Sequence, residues 1–285
     1  MGLEASIVVI GDEILGGFVQ DTNSGWLAGR LREHGVPLSR IVTVPDDPAA
    51  IDDALQRELA RSRPRLILTC GGIGSTPDDV TYEAIAASLE RPLMVAPELA
   101  QRIDASVAWT VRQGVAVGDG FVDHLMRMAM VPEGATLLRR TRGWVPGIRV
   151  DVGGGIDDDD GATIVILPGV PSELRGIVDE AVEPDLLAGR GVPDAVEELT
   201  HGFPESVLNE AFARLIERYP DVKLGSYPGD PMLVRLRGPA GRVASAMAEL
   251  RAEVEALASD DAGGRLLRAW EERTTPLARI EQSPP

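Results

Sequence analysis

The sequence predicts an α/β protein in three layers, a mostly parallel central sheet between helices, followed by a second, smaller α+β domain. Three observations carry that expectation. Short apolar runs alternate strictly with helical periodicity over the first two-thirds of the chain. The apolar runs are continuous, as in strands buried on both faces. Near Ala188 to Pro193, "AGRGVP" breaks the pattern as a linker would, and a different strand and helix order follows.

Taken in order, Ala5 to Ile10 reads as a buried strand. Thr22 to His34 reads as a helix with Trp26, Leu27 and Leu31 on its face and Gly35 as its stop. Ser39 to Val44 is a second strand, Pro48 to Arg61 a second helix, and Leu66 to Cys70 a third strand. Right-handed crossovers between such strands place ligand-binding loops beyond the carboxyl ends of the sheet. Pro97 to Gln113 and Phe121 to Ala129 read as helices broken at Gly114 to Gly120. Trp144 to Val152 and Thr163 to Leu167 read as strands joined by "GGGIDDDDG", a solvated hairpin tip, because no glutamate closes a calcium-binding loop there. "LPGVPSEL", from Leu167 to Leu174, leaves a strand and opens a helix running to about Leu187.

The large domain is thus expected over residues 1–190, the small one over 195–260, and a flexible tail over 261–285. In the small domain the elements are strand Glu197 to Gly202, helix Glu205 to Tyr219, strands Lys223 to Tyr227 and Met232 to Arg237, and helix Ala240 to Ala258.

Composition limits the function. With 285 residues and 44% hydrophobic, the chain can bury a sizeable core, which 4% aromatics leaves to aliphatic side chains. A formal net charge of -17 argues against nucleic acid as a partner, since that partner needs a basic footprint. Any anionic ligand must be met by a local exception such as a metal ion, an arginine cluster or backbone amides. Lys223 is the only lysine and Cys70 the only cysteine, so no intrachain disulfide can form. Cys70 ends an apolar strand and reads as a small buried hydrophobe. No segment has the length of a membrane span, no membrane is expected as a partner, and the expected location is cytoplasmic. His34, His124 and His201 show no metal-ligand spacing and read as structural or surface residues.

The stretch "TCGGIGSTPDDVTYEA", Thr69 to Ala84, joins glycine with acid. Gly71, Gly72 and Gly74 could turn several amides toward one anion, helped by the dipole of a following helix. Neither a P-loop nor a dinucleotide fingerprint matches. Thr76, Pro77, Asp78 and Asp79 fit a capping box that starts a helix at Pro77. That accounts for one aspartate and not for two. Asp12 and Glu13 end the neighbouring strand, with Asp21 in the same loop, and carboxylates from two strand ends suit a hard divalent ion such as magnesium, manganese or cobalt. A metal would let acids and a phosphate share one site.

"VIGDEILGGFVQDTNSGWLAGRL", "GGIGSTPDDVTYEAIA" and "LPGVPSEL" together resemble the molybdopterin-binding (MoaB/Mog-like) domain, in the version found at the N-terminus of CinA (competence/damage-inducible) proteins. The resemblance runs from Ser6 to Leu187 in order, and the unit Glu197 to Ala258 resembles the small domain that follows in CinA proteins. It implies a pterin or nucleotide site at Gly71, Gly72, Gly74 and Asp79, with Asp12 or Glu13 as the acidic position after the first strand. The Asp21 to Asn23 segment and Pro168, Gly169, Pro171 and Glu173 match motifs of the CinA branch. Substrate contacts are therefore expected at Gly11, Asn23, Gly71, Gly72, Gly74, Ser75, Thr76, Pro168, Gly169, Pro171 and Glu173. Metal contacts are expected at Asp12, Glu13, Asp78 and Asp79, with Asp12 and Asp79 catalytic.

CinA-like domains are associated with divalent-metal-dependent cleavage of ADP-ribose-type pyrophosphates, and Mog-like relatives with adenylylation of molybdopterin. The resemblance thus implies a metal-dependent hydrolase of nucleotide pyrophosphates such as ADP-ribose or FAD. The alternatives are a molybdopterin-binding protein of molybdenum cofactor biosynthesis and a non-catalytic nucleotide binder. It also implies a homo-oligomer, a dimer or a trimer.

The chain departs from the family pattern at Ser75, where proline is common, and at Val145, Pro146 and Gly147, where Ala-Pro-Gly is usual. Arg139, Arg140, Arg142 and Trp144 form a basic and aromatic cluster that could hold a phosphate or line a solvated strand. The amidohydrolase domain of full CinA proteins is missing, so nicotinamide-nucleotide deamidation is not expected.

Overall fold

In the computed structural model, which describes residues 2–116, 118–138, 145–229 and 231–269, the continuous apolar runs become the interior of a six-stranded sheet. The chain divides into two compact units, Met1–Pro193 and Asp194–Pro285.

The first unit begins with β1 (Glu4–Ile10), a one-turn helix α1 (Asp12–Leu15) and α2 (Asn23–Glu33). β2 (Leu38–Val44), α3 (Pro48–Leu59), β3 (Arg65–Cys70) and α4 (Thr81–Ser88) follow. Then come β4 (Leu93–Val95), α5 (Pro97–Arg112), α6 (Asp119–Arg127) and β5 (Met130–Pro132). β6 (Thr136–Leu137), β7 (Ile148–Val152), β8 (Ala162–Leu167) and α7 (Pro171–Ile177) complete it, α7 running on into wider π-helical turns over Val178–Leu187 with Pro184 inside them.

The sheet order is β2-β1-β3-β8-β7-β6, parallel across the first four strands and antiparallel across the last two pairs. Alternate residues fill its two faces. Val8, Ile10, Ile67, Ile164 and Ile166 pack with Ile51, Leu55, Ile85 and Ile103 on one side. Ile7, Val9, Leu66, Leu68, Val165 and Leu167 pack with Leu27, Leu31, Leu174 and Ile177 on the other. Burial on both faces is why these strands read as unbroken apolar runs. Cys70 sits in this interior, 2% exposed, and burial pushes its thiol up to about 12, which makes it inert.

Parallel register fixes where the loops emerge. Val9 stands opposite Cys70 and Cys70 opposite Leu167, so β1, β3 and β8 end side by side. Gly11, Gly71 and Pro168 therefore open three loops at one end of the sheet. At the other end of β3, Arg65 and Glu58 are buried at 1% and 0% exposure and form an ion pair at 3.4 Å, with Arg40 and Arg61 on the same carboxylate.

Several expectations are corrected. No helix begins at Pro77. The Asp79 amide donates to the Thr76 carbonyl at 3.1 Å and closes a free-standing turn, and α4 starts only at Thr81. Thr81 is tied to the preceding loop instead, its amide to the Gly72 carbonyl and its hydroxyl to the Gly71 carbonyl. The acidic hairpin tip is not wholly solvated: Ile156 is buried, and Asp157 is paired with Arg190. β4 and β5 pair as a short antiparallel ribbon beside α5 and α6, which two three-residue strands do not announce in a sequence. Residues 261–269, expected to begin a tail, are helical, and 270–285 lie outside the described residues. So does the cluster Arg139, Arg140, Arg142 and Trp144. Among the described residues no helix is long and apolar enough to cross a membrane.

The second unit is an antiparallel sheet of order β10-β11-β9, made by β9 (Ala195–His201), β10 (Lys223–Tyr227) and β11 (Met232–Gly238). α8 (Asn209–Arg218) and α9 (Ala240–Ser259) supply Phe212, Leu215, Val243, Met247 and Leu250 to a core shared with Val234 and Leu236. His201 is buried there, and burial lowers its pKa.

Candidate functional site

The second loop makes a contact that only glycine permits. Gly71 has φ 106°, and a Cβ on it would stand 2.1 Å from the Ile10 carbonyl oxygen. Gly72, at φ 64°, leaves room for the Thr81 hydroxyl and the Asp46 carboxylate. With these two residues in left-handed conformations, the chain turns sharply off β3. Among the described residues, the amides of Gly72, Ile73, Gly74 and Ser75 have no hydrogen-bond acceptor. Four consecutive free N–H groups are what a backbone anion site requires.

The third loop closes against the second. A Cβ on Gly169 would lie 3.5 Å from the Gly71 Cα. Between them opens a cleft of about 410 Å³, lined by Gly71 to Gly74, Asp79, Pro168 to Val170 and Glu173, with Glu13, Met128 and Val145 at its sides. That volume suits a small cofactor or nucleotide. A neighbouring cavity of about 110 Å³ shares Glu13 and Gly169 with it and reaches Asp21, Asn23, Cys70 and Pro171.

Of the expected residues, Glu13, Gly71, Gly72, Gly74, Asp79, Pro168, Gly169 and Glu173 line the cleft, Asn23 and Pro171 line the neighbouring cavity, and Gly11, Asp12, Ser75, Thr76 and Asp78 line neither. Asp79 lies against Gly74, where a Cβ would meet its Oδ2 at 2.5 Å, and that oxygen accepts from the Thr76 amide at 2.9 Å and from the Thr76 hydroxyl at 2.5 Å. Asp79 thus keeps one half of the capping box, bracing a turn in place of starting a helix. Ser75 is half-buried within the glycine loop, while Asp78 and Thr76 are exposed. Gly11 is buried, its amide on the Val44 carbonyl, and the Glu13 carboxylate folds back over it. Asn23, 8% exposed, donates its side-chain amide to the Gly169 carbonyl at 2.7 Å, which ties the first loop to the third. Asp21 accepts from the amides of Asn23 and Ser24 and so caps α2. Pro171 opens α7, and Glu173, in its first turn, faces the cleft.

The expected metal ligands do not meet. Among the described residues no three His, Cys, Asp or Glu side chains converge to hold an ion. Asp79 is occupied by Thr76, and Asp12 is exposed. As arranged, Asp12, Glu13, Asp78 and Asp79 do not fit a resident divalent ion.

Sequence reasoning missed two side chains. Asp46, just past β2, accepts the Asp12 amide at 2.9 Å. Burial raises its pKa, and the carboxylates of Glu13, Asp12 and Asp78 add to the rise. Arg127, at the end of α6, donates to the carbonyls of Thr76 and Asp79 and to the Glu83 carboxylate. The acidic residue after a second strand end was a legible signal for Asp46. Nothing local marks Arg127, whose partners lie 44 to 51 residues away.

Comparison with known proteins bears on this geometry. The family described as "Probable molybdopterin binding domain" matches residues 6–188. A protein of Aeropyrum pernix is 35% identical over 87% of this chain and 88% of its own length. A CinA-like protein of Mycobacterium sp. (strain MCS) is 38% identical over 74% of this chain, which spans 49% of that relative. The crystal structure of the protein CinA, of unknown function, from Thermoplasma acidophilum is 28% identical, with a TM-score of 0.53 over 64% of this chain and 96% of that one.

Proposed function

The chain belongs to the molybdopterin-binding domain family, in its CinA-like form, and from that premise we propose that its cleft binds a small phosphorylated ligand, a pterin or a nucleotide. One observation carries this reading: the free amides of Gly72, Ile73 and Gly74 at a cleft of about 410 Å³, with the free amide of Ser75 next in the loop. In a chain of net charge -17, fixed backbone dipoles are a way to receive an anion without a basic side chain. The phosphate or pyrophosphate of the ligand would rest on these amides. Asp79 and Thr76 would hold the turn in shape, and Asn23 would hold Gly169 against it. Isothermal titration with molybdopterin, ADP-ribose and FAD tests the reading. Saturable binding of at least one supports it, and no binding of any refutes it.

A second reading, hydrolysis of an ADP-ribose-like or FAD-like pyrophosphate, is favoured by Glu13, Asp79 and Glu173 lining the same cleft as the free amides. Magnesium, manganese or cobalt would enter as part of the substrate, chelated by its phosphates, because among the described residues the side chains do not form a cage for the ion alone. Water would add to one phosphorus as the bridging P–O bond breaks, giving AMP and a second phosphate monoester. A rim carboxylate, Glu13 or Glu173, would take the proton of the water. Incubation with each nucleotide, with each metal or with EDTA, followed by chromatography, decides it. Metal-dependent release of AMP supports hydrolysis, and intact ligand after prolonged incubation leaves a binding protein. A homo-oligomer, dimer or trimer, belongs to the same proposal, and sedimentation reads it.

A further inference from the structure

The loop that offers the free amides is braced by Asp79 and Thr76, and a cation, Arg127, bonds to the same two residues. Arg127 ends α6, one residue before Met128 of the cleft wall. Its Nη1 donates to the Thr76 carbonyl at 3.3 Å, and its Nη2 to the Asp79 carbonyl at 3.1 Å and the Glu83 carboxylate at 3.1 Å. Thr76 and Asp79 are the same two residues whose amide, hydroxyl and carboxylate close the turn. One guanidinium therefore grips both ends of the turn, and its planar fork suits two carbonyls at once. α6 lies 44 to 51 residues from these partners, so this is a long-range tie across an otherwise exposed loop.

We infer that Arg127 is a positioning residue for ligand binding: it holds the Thr76–Asp79 turn so that the amides of Gly72 to Ser75 stay fixed for the anion. The inference rests on the proposed binding site and adds a residue that does not touch the ligand. Arg127 and Glu83 are both more than a third exposed at the side chain or close to it, at 34% and 39%, so their ion pair contributes little to overall stability. Its contribution is instead preorganisation, which appears in affinity.

The test compares wild type with Arg127→Gln, Arg127→Lys and Glu83→Gln. Binding of ADP-ribose and of inorganic pyrophosphate is measured by titration, and amide hydrogen exchange is followed across residues 2–193. Arg127→Gln is expected to weaken binding about tenfold or more, with faster exchange confined to the hydrogen-bonded amides of the turn, Thr76 and Asp79, and an unchanged melting temperature. Arg127→Lys, which keeps the charge and donors but loses the planar fork that spans the two carbonyls, should fall between. Glu83→Gln, which leaves both carbonyl contacts, should stay near wild type. Wild-type affinity in Arg127→Gln would overturn the inference, as would faster exchange spread over the whole first unit. If wild type binds neither probe, the reading of the cleft fails, and the exchange comparison still decides whether Arg127 holds the turn.

Discussion

Gly74 shows how closely this site is specified. A methyl group there would meet the Asp79 Oδ2 at 2.5 Å and push the carboxylate off Thr76. Because the obstacle is a side chain, Gly74→Ala should fold, losing about 1 kcal/mol, while ligand affinity falls at least tenfold. Thermal melts and titration of the same sample would check both. Asp46 has the opposite character. Its folded pKa lies above its ordinary value through burial and the carboxylates of Glu13, Asp12 and Asp78. The folded protein thus holds that proton more tightly than the unfolded chain does. The contribution of Asp46 to stability is greatest below the ordinary carboxylate range and falls as pH rises through the folded value. Asp46→Asn keeps an acceptor for the Asp12 amide and should melt higher than wild type near pH 7, with the gap closing as pH is lowered toward 4. No gap at pH 7 would contradict the raised pKa assigned to Asp46.

Elements divide between those a local pattern encodes and those fixed by distant partners. β1, β3 and β8 were legible because burial on both faces leaves an apolar run, and α2, α3 and α5 because glycine, aspartate or proline marks an end. The start of α4 was not, because a good capping sequence lost to tertiary bonds from Thr81 to Gly71 and Gly72. The glycine loop and its acids were likewise visible, and the spacing of Thr76 and Asp79 announced their contact, whereas the tie from Arg127 depends on contacts no spacing reveals. The buried pair Arg65 and Glu58 lies at the end of β3 away from the cleft. Glu58→Ala would leave the buried guanidinium with only Glu4 among its carboxylate partners, at a cost of about 3–5 kcal/mol. Denaturant melts should show that loss, while ligand affinity measured on the folded fraction stays unchanged.

Across the molecule as a whole, the proposed function has an acidic protein meeting an anionic ligand through neutral backbone. The net charge of -17 repels the ligand at long range, and the cleft adds Glu13, Asp79 and Glu173 nearby. Association of ADP-ribose should therefore speed up as salt rises from about 10 mM to about 150 mM, since screening relieves repulsion. A rate that falls with salt would point to a basic attraction absent from this account. The most direct test of the central claim is a ¹⁵N-resolved NMR titration with inorganic pyrophosphate and with ADP-ribose. Saturable downfield shifts of the Gly72, Ile73, Gly74 and Ser75 amides together are the predicted result, with saturation in Gly74→Ala needing at least tenfold more ligand. Saturable binding that leaves those four amides unmoved would contradict it.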